Sequence, residues 1–393
     1  MTIHSDALPG TARAALAGFA ALLAGIGLSR FGFTPLITPL VQQGWVAPTE
    51  AGFLGATNLA GYLAGAALLP LVARKVPLAW LIRGAVSLVC LSFLAESADL
   101  GLVWHLVWRF LAGAAGGFAM VGAVPAVMAA VPPARRGRVG GAVMTAMGVG
   151  MVGSGLLVPP VAAEGVAWAW LLYAAITAIL VALCWSGLKQ APAPVGAAPP
   201  ISRASVLTII AYCASAAGFV PHTVFWVDYI ARGLDFGLAA AGLYWVALGC
   251  AACVLPLLTG LLAERIGFAG AFRTALLIMT VFVLLPVFVH SPAALLASSL
   301  LGGGMGIAMP GLASGRAAEL VGVARHRSLW ARMTILFAVV YAGTAYALSY
   351  VFARTLSYEA VFLIGAVVML AGTLIEWGGM RLAGISSREE PAA

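Results

Sequence analysis

Charge is what this chain has least of. Of its 393 residues only 9% are Asp, Glu, Lys or Arg, while 63% are hydrophobic. Soluble domains carry about 25% charged residues, so a water-soluble fold is excluded. Histidine is scarce, with five scattered residues and no metal-ligand spacing, so no metal site is expected. The five cysteines, Cys90, Cys184, Cys213, Cys250 and Cys253, all fall inside apolar stretches. They read as small buried hydrophobes rather than a disulfide framework. No glycine run is followed by Lys-Ser or Lys-Thr, which excludes a phosphate loop. No nucleophile or acid–base constellation stands out, so neither an enzyme nor a cofactor is expected. The N-terminus reads as lacking a cleavable signal pattern.

What the chain has is apolar length. About 20 apolar residues suffice to cross a bilayer as a helix, and lipid offers no partners for open backbone groups. Twelve such segments are expected, at 13–42, 50–72, 78–95, 102–131, 139–161, 167–187, 204–231, 237–262, 271–289, 293–322, 329–351 and 359–379. The net charge of +8 does not point to nucleic acid, because the basic residues sit in short connectors between these segments. Counted by the positive-inside rule, only Arg232 and Arg354 fall on one side, and only Arg30 and Arg109 within the membrane. All other Lys and Arg fall on the opposite side. That asymmetry predicts two cytoplasmic termini.

The Pro/Ala-rich stretch within 188–203 reads as a cytoplasmic linker. It separates an N-terminal bundle, 1–187, from a C-terminal one, 204–393, each of six helices. The halves are related. An offset of 189 residues places Gly113 on Gly302, Met120 on Met309, Arg136 on Arg325, Arg138 on Arg327 and Met144-Thr145 on Met333-Thr334. Glycine matches are cheap in a chain with 47 glycines, but paired arginines and a Met-Thr step at one offset are not. Two parallel six-helix repeats, with the solute site at their interface, are one plan of secondary transporters.

The fold expected is therefore an all-α integral membrane protein of twelve helices in two pseudo-symmetric bundles, which resembles the major facilitator superfamily (MFS) along its whole length. Ala263-Glu-Arg-Ile-Gly267 looks like a remnant of that superfamily's acidic-basic-x-Gly loop motif; its counterpart Ala73-Arg-Lys-Val-Pro77 lacks the acidic residue. More narrowly, Ser29-Arg-Phe-Gly-Phe-Thr-Pro-Leu36 and Asn58-Leu-Ala-Gly-Tyr62 resemble the bacterial YbfB/YjiJ family. That family carries an Arg-Phe step in helix 1 and an Asn-x-x-Gly-Tyr pattern in helix 2. The resemblance implies transport by alternating access and places helix 1 on a central cavity. It does not name a substrate.

Candidate site residues follow from depth and spacing. A charge at mid-membrane costs about 3 kcal/mol on insertion scales, so Arg30 is either tied to helix-end carbonyls or a cavity-facing anion site. The resemblance favours the second. Arg109 is a second candidate, with a snorkelling interfacial arginine as the alternative. Asn58 and Tyr62 share a face of helix 2 and suit ligand hydrogen bonds, unless they bond helix to helix. In helix 7, Pro221 can open the backbone. His222 falls one step from the position matching Arg30, and Trp226 lies one turn on. Asp228 reads as an acidic partner or proton carrier, or as an i, i+4 ion pair with Arg232; His222 is the other candidate for proton coupling. Glu376, near an end of helix 12, is expected to be solvated, and no acidic cluster is expected at the depth of the two arginines.

The function expected is a monomeric secondary transporter of the bacterial inner membrane. It would move a small organic solute, an anion by the two arginines, with protons as the coupling ion. The lipid bilayer is its surroundings, and nucleic acid is no partner. Export of neutral or cationic compounds is the alternative within transport. A non-transporting sensor or assembly factor is the alternative outside it, and a sensor would ordinarily carry a soluble signalling domain.

Overall fold

The computed structural model describes residues 9–130, 136–187 and 202–382. The expected linker, except for Ser202 and Arg203, lies outside these residues, as do 131–135 and 383–393. Among the described residues every regular element is helical. Eleven helices are long and apolar enough to cross a membrane. One of them, Gly237–Phe288, has 52 residues, which at 1.5 Å per residue exceeds twice the ~30 Å bilayer core. It is broken at Gly267, where φ is 77° and ψ 160°. Twelve spans result among the described residues.

We label them in chain order. Helix α1 runs from Pro9–Leu22 through a π-helical stretch, Leu23–Phe31, to Thr34–Gln42. Then come α2 (Pro48–Val72), α3 (Leu78–Glu96) and α4 (Leu102–Ala130). Helix α5 joins Arg136–Met144 to Ala146–Ala163, and α6 is Val166–Gly187. Helix α7 is Arg203–Gly233, and α8 and α9 are 237–266 and 268–288. The last three are α10 (Pro292–Val321), α11 (Val323–Thr355) and α12 (Tyr358–Leu382).

The chain divides into two compact units. Unit 1 is drawn from residues up to Val46 and from Thr57 through α6; unit 2 comprises Ala47–Ala56 and α7 onward. In unit 1, α2 and α4 pack backbone against backbone. A Cβ on Gly113 would strike the Asn58 carbonyl, and one on Gly61 the Phe110 carbonyl. Small residues let membrane helices approach this closely, because without a hydrophobic drive between them van der Waals contact must hold them. The outward faces stay apolar: Leu257, Leu374 and Phe288 are all well exposed, as lipid-facing positions should be.

The break between α8 and α9 is shorter than the expected gap at 263–270. A glycine accepts positive φ at little steric cost, and the Glu319 carboxylate of α10 takes the freed N–H groups of Phe268 and Ala269 at 2.7 and 3.1 Å. A carboxylate at a helix N-terminus is electrostatically favoured as well.

Candidate substrate and coupling site

In unit 1 the site is built on the π-helical stretch of α1. Its wider turn carries i→i+5 hydrogen bonds, one of them from Gly32 N–H to the Gly27 carbonyl at 2.8 Å. Carbonyls in and just after this stretch accept from side chains: Ser29 from Arg109 Nη1, and Gly32 from the Tyr173 hydroxyl of α6, both at 2.7 Å. Room for it comes from small neighbours. A Cβ on Gly25 would sit 3.1 Å from Gly116 Cα, and one on Gly27 3.3 Å from Gly150 Cα.

Arg30 lies in this stretch, half-buried, with its guanidinium carbon 5.1 Å from the Phe31 ring centroid and 5.4 Å from that of Tyr62. Cation–π attraction of this kind strengthens as water is removed. Asn58 is buried on α2 one turn before Tyr62. Its amide donates to the Arg109 carbonyl at 3.1 Å and to Ser29 Oγ at 3.4 Å. The helix-to-helix bond left open for Asn58 is thus present.

Arg109 is wholly buried and does not snorkel. Its Nε and Nη2 donate to the two carboxylate oxygens of Glu96, each at 2.6 Å. Phe33 and Trp170 rings lie 4.8 and 5.1 Å from its guanidinium carbon. A single carboxylate thus accompanies Arg109 inside the bundle. Glu96 is the last residue of α3, one past the end expected for that segment. Helical side chains lean back toward the N-terminus, so a terminal glutamate reaches into the bundle instead of the water.

In unit 2, α7 is π-helical at Pro221–Phe225 and again at Tyr229–Gly233. His222 is fully buried, with Nε2 2.9 Å from Ser298 Oγ on α10, and that hydroxyl donates to the Phe282 carbonyl of α9 at 2.6 Å. The Trp226 ring is 4.6 Å from the imidazole and that of Phe362 5.3 Å. The Trp226 indole N–H donates to Ser299 Oγ at 2.9 Å. Gly302 and Gly303 open a slot for the ring: a Cβ on either would stand 3.1 or 3.2 Å from the imidazole.

Asp228 accepts from both Arg232 and the Tyr358 hydroxyl of α12, the latter at 2.6 Å. The i, i+4 pairing left open by the sequence is present, and Tyr358 was not foreseen. Glu376 is not solvated. It is fully buried, accepting from Thr208 of α7 at 3.2 Å and standing 3.6 Å from Arg273 of α9. Position near a helix end misled here, because α12 packs along α7 and α9 at that depth.

The structure therefore brings Arg30 to Tyr62, and Asn58 to Arg109, in unit 1. In unit 2 it brings His222 to Trp226 and gives Asp228 separate partners. Glu96, Ser29, Ser298 and Tyr358 were missed. A glutamate one residue past an apolar run, thirteen positions before a membrane arginine, was the only signal for the first.

A family model described as "Uncharacterised MFS-type transporter YbfB" matches residues 22–376. No curated protein matches the chain. Among solved structures, the chain is similar to a bacterial homologue of the human lysosomal transporter Spinster, crystallised inward-facing and unoccupied. The TM-score is 0.75 and the identity 14%, over 98% of this chain and 100% of that one. A likeness at that identity shows the fold alone.

Proposed function

The chain belongs to the YbfB-type family of major facilitator transporters, and on that premise we propose that its substrate is a small organic anion, moved by alternating access and coupled to protons. It is a multi-pass membrane transporter and not an enzyme. The proposal sets a monomer in a bacterial inner membrane with both termini cytoplasmic, as the distribution of basic residues implies.

One observation carries the anion reading: Arg30 sits half-buried on an irregular stretch of α1, its guanidinium set over two aromatic faces. A planar guanidinium meets a carboxylate or phosphate through its forked N–H edge. Irregular backbone inside a membrane is tolerated where it lines a cavity or is buried in protein. Tyr62 and Asn58 border the arginine on α2, and His222 and Trp226 of α7 are the residues assigned to the solute from unit 2. Arg109, neutralised by Glu96, supports the Ser29 carbonyl and reaches the anion only if that pair opens. Asp228 and His222 are the titratable groups assigned to coupling in α7.

The test is a melting-temperature screen of purified protein against carboxylates, organic phosphates, amino acids, sugars and cationic drugs, since a bound solute raises apparent stability. Stabilisation by anions, lost in Arg30→Ala protein, is the expected result. Stabilisation confined to cations or neutral compounds overturns the anion reading in favour of the export alternative.

A further inference from the structure

At the end of unit 1 that carries the α1–α2 and α3–α4 connections, polar side chains lead inward from the surface. Asp99, between α3 and α4, has a side chain 41% exposed, and its Oδ1 stands 3.8 Å from Nε2 of His105, whose side chain is 1% exposed. Both ring nitrogens of His105 lack a hydrogen-bond partner among the described residues. The Trp45 ring lies 5.7 Å away across the imidazole. One turn further along the same face of α4 comes Arg109, with Glu96 bonded to it.

An unpartnered imidazole at this burial is unfavourable as a purely structural element, because a buried polar group without a hydrogen bond forfeits its hydration. Between an exposed carboxylate and a buried one, it is in the place of a proton carrier. We propose that Glu96 is a proton-binding carboxylate, loaded from this end of unit 1 through Asp99 and His105.

One proton leaves bulk water for the Asp99 carboxylate, passes to a neutral ring nitrogen of His105, and is released to Glu96. Glu96 becomes a neutral carboxyl; Asp99 and His105 return to their starting states, and Arg109 stays cationic. From α4 the carboxylate faces Arg109; His105, one turn before Arg109, faces Asp99 of the α3–α4 connection, and from α6 the Tyr173 phenol donates to Gly32. From α1 it meets the segment whose Ser29 carbonyl binds Arg109, while the adjacent Arg30 lies over Phe31 and Tyr62. Protonation leaves the Arg109 guanidinium without its counter-charge in a medium where an unpaired charge is costly. A second anion is then favoured beside it, so one proton and one substrate anion travel together. That last step rests on the anion reading above; the proton site does not.

Infrared difference spectra of purified, substrate-free protein between neutral and acidic buffer test the site. A protonated-carboxyl band is expected in the wild type and in Asp228→Asn, lost in Glu96→Gln, and displaced in Glu96→Asp, which keeps the charge should the glutamine variant fail to fold. After a pH jump, the band should rise at least tenfold more slowly in His105→Gln. No band in the wild type, a band unchanged in both Glu96 variants, or an undiminished rate in His105→Gln overturns the proposal. Proton uptake on anion binding, followed with a pH electrode, separates the two readings. A Glu96 band without such uptake upholds the proton site and counts against the anion.

Discussion

Arg109 and Glu96 form a two-point ion pair, Nε to Oε1 and Nη2 to Oε2 both at 2.6 Å, with neither side chain exposed. Such a pair adds little net stability over apolar groups of the same size, yet removing one partner costs about 3–5 kcal/mol. Arg109→Ala and Glu96→Ala should each melt well below the wild type. The apolar pair Arg109→Met with Glu96→Leu should recover most of the loss. Melting curves in detergent decide this; a double variant no more stable than either single shows that charge pairing is not what the site requires.

Arg30→Lys should weaken the best anion found in the screen nearly as much as Arg30→Ala, because an ammonium cannot reproduce the planar fork. A charge-assisted contact of about 1.5–3 kcal/mol corresponds to roughly tenfold to a hundredfold in affinity. Calorimetry on folded protein measures it. Full affinity in stable Arg30→Ala protein removes the anion site from α1.

In unit 2 the imidazole of His222 fits against Gly302, where an added Cβ would stand 3.1 Å from it and 3.0 Å from the Phe282 carbonyl. Gly302→Ala should therefore destabilise by about 1–3 kcal/mol through overpacking. Adding His222→Ala should return part of that, and a strictly additive double variant would mean the glycine makes no room for the ring.

Coupling through α7 makes a separate prediction. Asp228→Asn or His222→Ala should change the pH dependence of transport while the protein still inserts. Tyr358→Phe, which removes a 2.6 Å bond to Asp228, should shift the same profile by less. Profiles that match the wild type in all three variants would confine coupling to other residues, with Glu96 the first to examine.

Orientation can be read with a membrane-impermeant maleimide in a cysteine-free background. Ala98→Cys, between α3 and α4, should label in intact cells. Lys75→Cys, between α2 and α3, should label only in inverted vesicles. The reverse pattern would put the termini outside.

The expected spans and the observed helices agree closely, and the reason is physical. In lipid the backbone has no partner but itself, so apolar length alone dictates a helix. The disagreements fall at helix ends. Glu96, placed in a connector by composition, is the last residue of α3 and bonds Arg109, while Glu376, expected in water, is packed among α7 and α9. A span's end is blurred in sequence because hydropathy averages over many residues, whereas burial of one carboxylate depends on which helix lies beside it.

The sequence by itself determined that this is a membrane transporter of twelve helices in two related halves, because composition, connector charge and internal repetition are properties of the chain alone. It also marked Arg30 and Arg109 as the two charges the membrane must accommodate. Only the tertiary structure decided their fates: Arg109 neutralised by a carboxylate from the neighbouring helix, Arg30 set over two aromatic rings. The π-helical turns of α1 and α10 were equally out of reach, whereas Pro221 had marked the first of those in α7. An extra residue in a turn is held by the contacts around it, such as Arg109 and Tyr173 on the carbonyls of α1, and those contacts come from helices distant in the chain.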